Sequence, residues 1–365
     1  MLNKRTHLPR LDRSLGMNRA LKNQEQQGQN VQHANLIIDA RDPSKIPKTF
    51  GYDECMKWAE PARYFCRKAL SPPDLSGDPR GWDAEWTSLF QDIEGPNHPV
   101  QPRFATQVKM LWDAEYLYIG AWMEEPDIWA TLTERDSVIF HDNDFEVFID
   151  PDDDNHQYLE IEINALNTVW DLLLPKPYRF QGSAVNEWDA LGMKHAVHIE
   201  GQINTPGSHS EGWGVTLAIP WTDMAWASSR ACPPRVNDTW RINFSRVEWD
   251  IDENQRKIPD RPEHNWVWSP QWQINMHCPE FWGFLVFADD QGHAKPRPTY
   301  WEERCRLIAY LQAREQGLPA PAQGLKIIEG PEFWIAECIA TDGFSLTIRN
   351  DGRFKCGYNE PVEFV

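Results

Sequence analysis

No stretch of the 365-residue chain holds the roughly 18 consecutive apolar residues that a membrane-spanning helix needs. Positive charge is scarce. Lys and Arg number 36 against 55 Asp and Glu, which leaves a formal net charge of -19. Phosphate contacts need clustered Lys and Arg, so this balance argues against a nucleic-acid partner. The seven cysteines include no C-x-x-C pair, which gives a zinc ribbon or a thioredoxin-type motif no support. Their odd number and wide spacing do not read as a disulfide framework. G-x-S-x-G, P-loop, G-x-G-x-x-G and H-E-x-x-H patterns are missing, so those enzyme classes lack sequence support. The opening residues, MLNKRTHLPRLDRSLGMNRALK, are basic but have no apolar run of the signal-peptide kind. The direct reading of cysteine use and N-terminus is a reducing, cytoplasmic compartment.

What the chain does contain is aromatic surface: 19 Trp, 16 Phe and 9 Tyr. Such rings fill cores, and they also stack on flat ligands, sugar rings included. A hydrophobic content of 41% with 25% charged residues is enough for a packed core. Three regions differ in texture. Residues 1–48 are polar and Gln/Asn-rich, and are expected to be mostly disordered. Residues 49–290 show short apolar or alternating runs between Gly, Pro, Asp and Asn, and are expected to form one β domain. Its strands are expected at 104–111, 116–123, 144–150, 158–165, 168–174, 195–200, 212–219, 240–249 and 281–287, with a short helix after Pro220. Residues 291–365 are expected to form an appendage: an amphipathic helix over 300–315, then short strands at 325–328, 334–340 and 344–349. Trp301, Leu307, Ile308 and Leu311 are expected to dock it on the β domain.

Alternation assigns faces. In Tyr158–Ala165, Leu159, Ile161 and Ile163 point one way, and Tyr158, Glu160, Glu162 and Asn164 the other. Glu146, Phe148 and Asp150 share one face of the preceding strand, and hairpin pairing would set them beside Glu160 and Glu162. Carboxylates and amides suit vicinal hydroxyls, because each can bond two of them. The plain alternative is an ordinary solvated sheet face. His141-Asp142-Asn143-Asp144 reads either as a turn capped by Asx side chains or, with His277 and Asn275, as part of a metal or catalytic centre. Asp150-Pro-Asp152-Asp153-Asp154-Asn155 is not an EF-hand, since the sixth and twelfth positions hold Asn155 and Ile161. A looser metal site in that loop and a solvated acidic turn both remain open.

The blocks VKMLWDAEYLYIGAWMEEP, SVIFHDNDFEVFIDPD, YLEIEINALNTVWDLLL, GWGVTLAIPW, WRINFSRVEW and PEFWGFLVF, in this order, resemble the family 9 carbohydrate-binding module and the larger carbohydrate-binding family 9-like proteins. The resemblance runs from about 64 to 287. It implies an all-β fold, an antiparallel β-sandwich, that binds sugars between two aromatic rings and polar groups, with the grip on chain ends. Carried over by position, Glu146 matches the hydroxyl-binding Glu. Phe140 falls where the family has a sandwiching Trp. Trp272 is the candidate second ring, and Asn164 and Asn167 stand where the family offers amides. The family's Arg falls near Glu162, a reversal of charge. Structural calcium in the family implies a calcium site at Asp150, Asp152 and Asp154. The family is usually extracellular or periplasmic, against the compartment read from the N-terminus.

Two functions compete on this reading. The first is a non-catalytic carbohydrate-binding protein in polysaccharide catabolism, holding an oligosaccharide or polysaccharide end through Phe140, Glu146, Glu160, Glu162, Asn164, Asn167 and Trp272. The alternative is a glycoside hydrolase-like enzyme using a pair among Glu146, Glu160 and Glu162. A strongly perturbed acid beside an ionised one would favour the enzyme. A haem-binding relative is a distant third, because Met276 and His277 are adjacent and diverge in any extended segment.

Overall fold

The alternating run at Tyr158 forms strand β6 (Tyr158–Asn164), and its apolar half is what the fold is built around. Leu159, Ile161 and Ile163 are fully buried in one apolar cluster with Phe145, Val147 and Ile149 of β5 (Asp144–Asp150). The computed structural model describes residues 58–358. All of these fall in one compact unit, Phe50–Val365. The disorder expected for residues 1–48 concerns positions outside the described ones.

The remaining strands of the main sheet are β1 (Arg63–Lys68), β2 (Gln91–Asp92), β3 (Thr106–Trp112), β4 (Tyr116–Glu124), β7 (Val169–Leu174), β8 (Lys194–Glu200), β9 (Gly212–Pro220), β10 (Thr239–Glu248), β11 (His264–Val267) and β12 (Gly283–Phe287). They run in the order β7-β6-β5-β10-β12-β1-β3-β4-β9-β8, with β11 and β2 off the edge of β10. The expected strands all form, within a residue or two at their ends; β1, β2 and β11 were not anticipated. Helix α1 is short, Trp221–Met224, and ends in a 3-10 turn, Ala225–Ala227.

β1 joins the two halves of the sheet. Its first part pairs with β12 (Arg63 to Phe284, Cys66 to Phe287), and its last two residues pair with β3 (Arg67 to Leu111, Lys68 to Trp112). Both pairings are parallel, so this curled sheet is mixed where an antiparallel arrangement was expected. Val108, Met110, Ile119, Val215 and Leu217 of one half enter the same buried cluster as Val147, Ile161, Ile242, Phe244 and Leu285 of the other. Apolar burial of this kind, at about 25 cal/mol per Å², is the main stabilising term.

The second sheet is β13 (Lys326–Glu329), β14 (Trp334–Ile339), β15 (Phe344–Arg349) and β16 (Phe354–Tyr358), paired in sequence order. Helix α2 (Trp301–Glu315) packs on it through Leu307, Ile308 and Leu311, which share a buried cluster with Phe180, Cys278 and Phe281. Cys66, Cys232, Cys278, Cys338 and Cys356 are free thiols.

A buried ion cluster ties the halves at another place. Arg246 of β10 is fully buried. It donates to Thr106 Oγ1 on β3, to the Glu124 carbonyl on β4, and to the carboxylates of Glu125 and Glu248. Glu125 also accepts from Asn143 Nδ2 at 2.8 Å and from the Trp213 indole at 2.6 Å. Burial, then the Glu248 charge, push the Glu125 carboxyl from the ordinary 4.5 up to about 7, against the pull of Arg246. Truncating one partner of such a cluster leaves a buried charge unmatched. Arg246→Ala is therefore expected to cost about 3–5 kcal/mol in urea titration. A folded-state pKa raised above the unfolded one favours the fold at low pH. The Glu125 share of stability is present below pH 4.5 and lost as pH rises through about 7. Glu125→Gln is expected to flatten stability across that window; an unchanged pH profile would refute this assignment.

Candidate functional site

The outer face of the β5–β6 hairpin follows from its register. Glu146 lies opposite Glu162, Phe148 opposite Glu160, and Asp144 opposite Asn164. On the flanking strands, Ser245 of β10 lies opposite Glu146, and Trp170 of β7 opposite Glu162. One cross-strand row is thus Ser245, Glu146, Glu162, Trp170. The expected juxtaposition of Glu146 with Glu160 and Glu162 is present.

The solvated-face alternative is overturned by burial. Asp144 is 0% exposed, Glu162 1%, and Glu146 and Glu160 5% each. Next to them Phe148, Tyr158, Leu172 and Leu174 pack against Val267, Met276 and Trp282, so the outer face carries a small apolar cluster of its own. The carboxyls are poorly served with donors. Glu162 Oε2 accepts the Phe140 backbone N–H at 2.9 Å, and Asp144 Oδ1 the Val247 N–H at 3.2 Å. Asp144 Oδ2 is buried without a hydrogen-bond partner, whereas a hydrogen bond from Ser245 favours the charged form of Glu146 and one from Glu162 that of Glu160. Among the described residues no ion pair reaches Asp144, Glu146, Glu160 or Glu162. Burial first, and the neighbouring carboxylates second, hold Asp144, Glu160 and Glu162 well above the ordinary range. Burial pushes Glu146 up to about 7.

Aromatic rings border this group. Phe140, in the 3-10 turn Ile139–His141, has its ring 6.4 Å from Trp170. Tyr178 is 42% exposed and feels the charges of Glu160 and Glu162. Its ring meets His277 edge-on at 4.5 Å, and His277 Nδ1 lies 3.0 Å from the Tyr158 hydroxyl. Trp170 and Tyr178 were not singled out from the sequence. Trp170 could have been, since the β6–β7 pairing puts it level with Glu162. Tyr178 lies beyond the strand, where alternation gives no signal.

The other anticipated residues sit elsewhere. Trp272 has its ring against Gly95, whose positive φ of 102° and missing Cβ allow the close approach, and it packs with the cluster around α2. The ring beside Phe140 is Trp170 rather than Trp272. Asn164 is fully buried and spent on structure. Its amide donates to the Leu132 carbonyl and Asp142, and its oxygen accepts from Leu166 and Thr168. Asn167 is exposed in the β6–β7 turn, 2.8 Å from His195 Nδ1. Asp142 accepts from Thr131 and Leu132, so its carboxylate ties this turn to the 131–132 segment instead of capping its own backbone. No group of converging metal-type side chains among the described residues includes His141 or His277.

The acidic turn between β5 and β6 does more than cap itself. Asp150 accepts three backbone N–H groups, from Asp152, Asp153 and Asn155. Asp152 accepts from Ser229 at 2.7 Å. Arg304 of α2 holds Asp153, and Arg353 pairs with Asp154 at 3.0 Å. Phe354 N–H donates to the Asp154 carbonyl, and Asn155 Nδ2 to that of Gly352. The turn is therefore where α2 and the second sheet attach. Oxygens of Asp150, Asp152 and Asp154 converge within 4.8 Å, and Asp152 Oδ1 and Asn155 Oδ1 are buried without donors. This all-oxygen set fits a hard cation.

The family model described as "Carbohydrate family 9 binding domain-like" matches residues 78–173. That stretch runs from ahead of β2 to β7 and contains Phe140, Asp144, Glu146, Glu160, Glu162 and Trp170. The resemblance read from the sequence blocks is thus found over that stretch. Three solved structures are similar. A candidate carbohydrate-binding protein from Bacteroides uniformis shares 18% identity over 62% of this chain and 100% of its own, with a TM-score of 0.43. A family 9 carbohydrate-binding module from Caldicellulosiruptor kristjanssonii in complex with cellotriose shares 15% over 64% and 99%, with a TM-score of 0.41. A module of the same description and organism in complex with glucose shares 15% over 64% and 96%, with a TM-score of 0.40. No curated protein matches the chain.

The position of Trp272 has a measurable consequence. Trp272→Ala empties a half-buried contact with Gly95 and the α2 cluster, and is expected to lower the unfolding free energy by about 2 kcal/mol. Unchanged thermal and urea midpoints would show that the ring is free of that contact.

Proposed function

We propose that this protein is a non-catalytic carbohydrate-binding protein that holds the end of an oligosaccharide or polysaccharide on the outer face of β5–β6. One observation carries the reading. The segment matching the family model contains a buried carboxyl group of Glu146, Glu160 and Glu162 bordered by the partly exposed rings of Phe140 and Trp170. Aromatic faces take the C–H surface of a pyranose, and carboxyl oxygens accept from its hydroxyls. Low local dielectric strengthens each such bond. Tyr178 adds a third ring from beyond β7. Asn164 supports the site through the turn it holds, and Trp272 through the loop it anchors.

The carboxyl set gives hydrolysis little support. A glycosidase needs one carboxylic acid and one ionised carboxylate about 5 Å or more apart. Here burial raises Glu146, Glu160 and Glu162 together, so the set does not divide into one raised acid beside one carboxylate of ordinary range. In the acidic turn, Asp150, Asp152 and Asp154 would hold calcium, whose contribution there would be cross-linking of the hairpin end to which α2 and the second sheet attach.

The test is a glycan array or affinity electrophoresis of wild type, Glu146→Gln and Trp170→Ala, with product analysis of every ligand retained. Trp170→Ala is expected to weaken binding about tenfold, or about 1.4 kcal/mol, with Glu146→Gln similar or larger and no new reducing ends. Retention of no glycan by wild type would overturn the binding reading, and product formation would replace it with the enzymatic one. Calcium is checked separately by thermal unfolding with and without chelator. A higher midpoint with calcium, lost in Asp152→Asn, is the expected result.

A further inference from the structure

A pocket of about 240 Å³ opens between the loops that follow β4, β8 and β10. None of its lining residues belongs to the β5–β6 face, and two of its three walls lie beyond residues 78–173, the stretch that the family model matches. The walls are tied to one another. The Asn204 N–H donates to the Ile128 carbonyl at 2.8 Å, and the Asn204 side-chain amide bonds both the N–H and the carbonyl of Ala130. Asp127 Oδ1 accepts the Gly207 N–H at 2.6 Å, and Gln255 Nε2 donates to the Asn204 carbonyl. Asn204 and Gln255 hold left-handed backbone conformations, with φ of 55° and 61°, which these ties over-determine. The recess is therefore built before any ligand arrives, as small-molecule sites usually are.

Its chemistry has two parts. Ile128, Trp129 and Ile251 offer apolar surface, while Asp127, Asp252 and Glu253 offer acceptors. No Lys, Arg or His lines it, and Arg256 meets Asp252 from outside at 3.1 Å. Trp129 is 6% exposed, and its indole N–H is buried with no acceptor. A buried donor left unpaired is costly and marks a missing partner.

We propose that this pocket is a second ligand site, taking a polyhydroxylated molecule the size of one sugar ring. A cavity of about 150 Å³ holds benzene, so this larger one has room for a six-membered ring with its hydroxyls. Hydroxyls donate to the carboxylates and accept from the indole N–H, directly or through a water that they hold. An ammonium or guanidinium group would meet the carboxylates but has no lone pair for the indole. An anion would meet the indole but face three carboxylates. The inference stands on the pocket alone and does not rest on the carbohydrate reading of β5–β6.

Indole N–H signals in nitrogen-15 NMR spectra test it, with Trp129→Phe assigning the Trp129 peak by its loss. Glucose, galactose, xylose and myo-inositol are the probes, each titrated through the millimolar range. The Trp129 peak is expected to shift saturably with at least one of them, in wild type and Glu146→Gln alike. Thr205 is an exposed residue of the pocket rim, and Thr205→Phe is expected to weaken that affinity at least about tenfold with the fold intact. A peak that no probe moves, or that moves without saturating, overturns the proposal. So does a shift abolished by Glu146→Gln, which would place the sugar on β5–β6 and make the change at Trp129 indirect. A saturable shift with cadaverine and with none of the four probes would assign the pocket to organic cations instead. Saturable binding at Trp129 with no glycan retained through β5–β6 would leave this site standing while the reading of the other falls.

Discussion

The register of the β5–β6 hairpin is the constraint on which the rest of this fold hangs. With Glu146 opposite Glu162, three apolar residues of each strand enter the main core, and the acids are sent to the other face together. A shift of one residue would exchange the faces and put carboxylates where Val147 and Ile161 now pack. Core burial therefore enforces the crowding of acids. The same register places the acidic turn at the hairpin end, where α2 and the second sheet attach. One hairpin thus sets the core, the candidate site and the attachment of the C-terminal elements.

Buried charge is handled differently at each place the hairpin touches. Arg246 sits between Glu125 and Glu248 and ties β10 to β3 and β4. At the acidic turn, Arg304 and Arg353 arrive from the C-terminal elements, so docking and neutralisation are one event. On the outer face, Asp144, Glu146, Glu160 and Glu162 keep their distance from any base. The clusters around Arg246 and the acidic turn are closed by arginine, whereas the outer-face acids lie beside Phe140, Trp170 and Tyr178. That contrast is the physical ground on which binding at the outer face is proposed.

Local pattern reveals strands and faces, and here it placed β5, β6, β7, α2 and most of the sheet. It cannot say what covers a face. The alternation in YLEIEINA is the same whether Glu160 and Glu162 meet water or lie under Phe140, Trp170 and Tyr178. β1 escaped notice because RYFCRK is short and bracketed by charge, and its parallel partners are remote in sequence. The acidic run 150–155 was legible as unusual, but its arginine partners come from α2 and from the loop before β16. Trp272 shows the reverse limit of pattern reading. A Trp in the expected loop looked like a stacking platform, yet a close approach to Gly95, which no spacing rule shows, turned it inward.

The double pairing of β1 also bears on modularity. The segment that matches the family model ends with β7, but β1, β10 and β12 complete the sheet from either side of it. β5 would lose its partner β10, and β3 its partner β1, if that segment were excised. A sheet closed by strands from opposite ends of its chain has high contact order, and such topologies form late and slowly, because the loop must close before its contacts reward it. The unit that selection or an engineer can move between proteins is therefore the whole span from β1 to β12, and a chain emerging from the ribosome cannot complete its central sheet until the last of those strands is out.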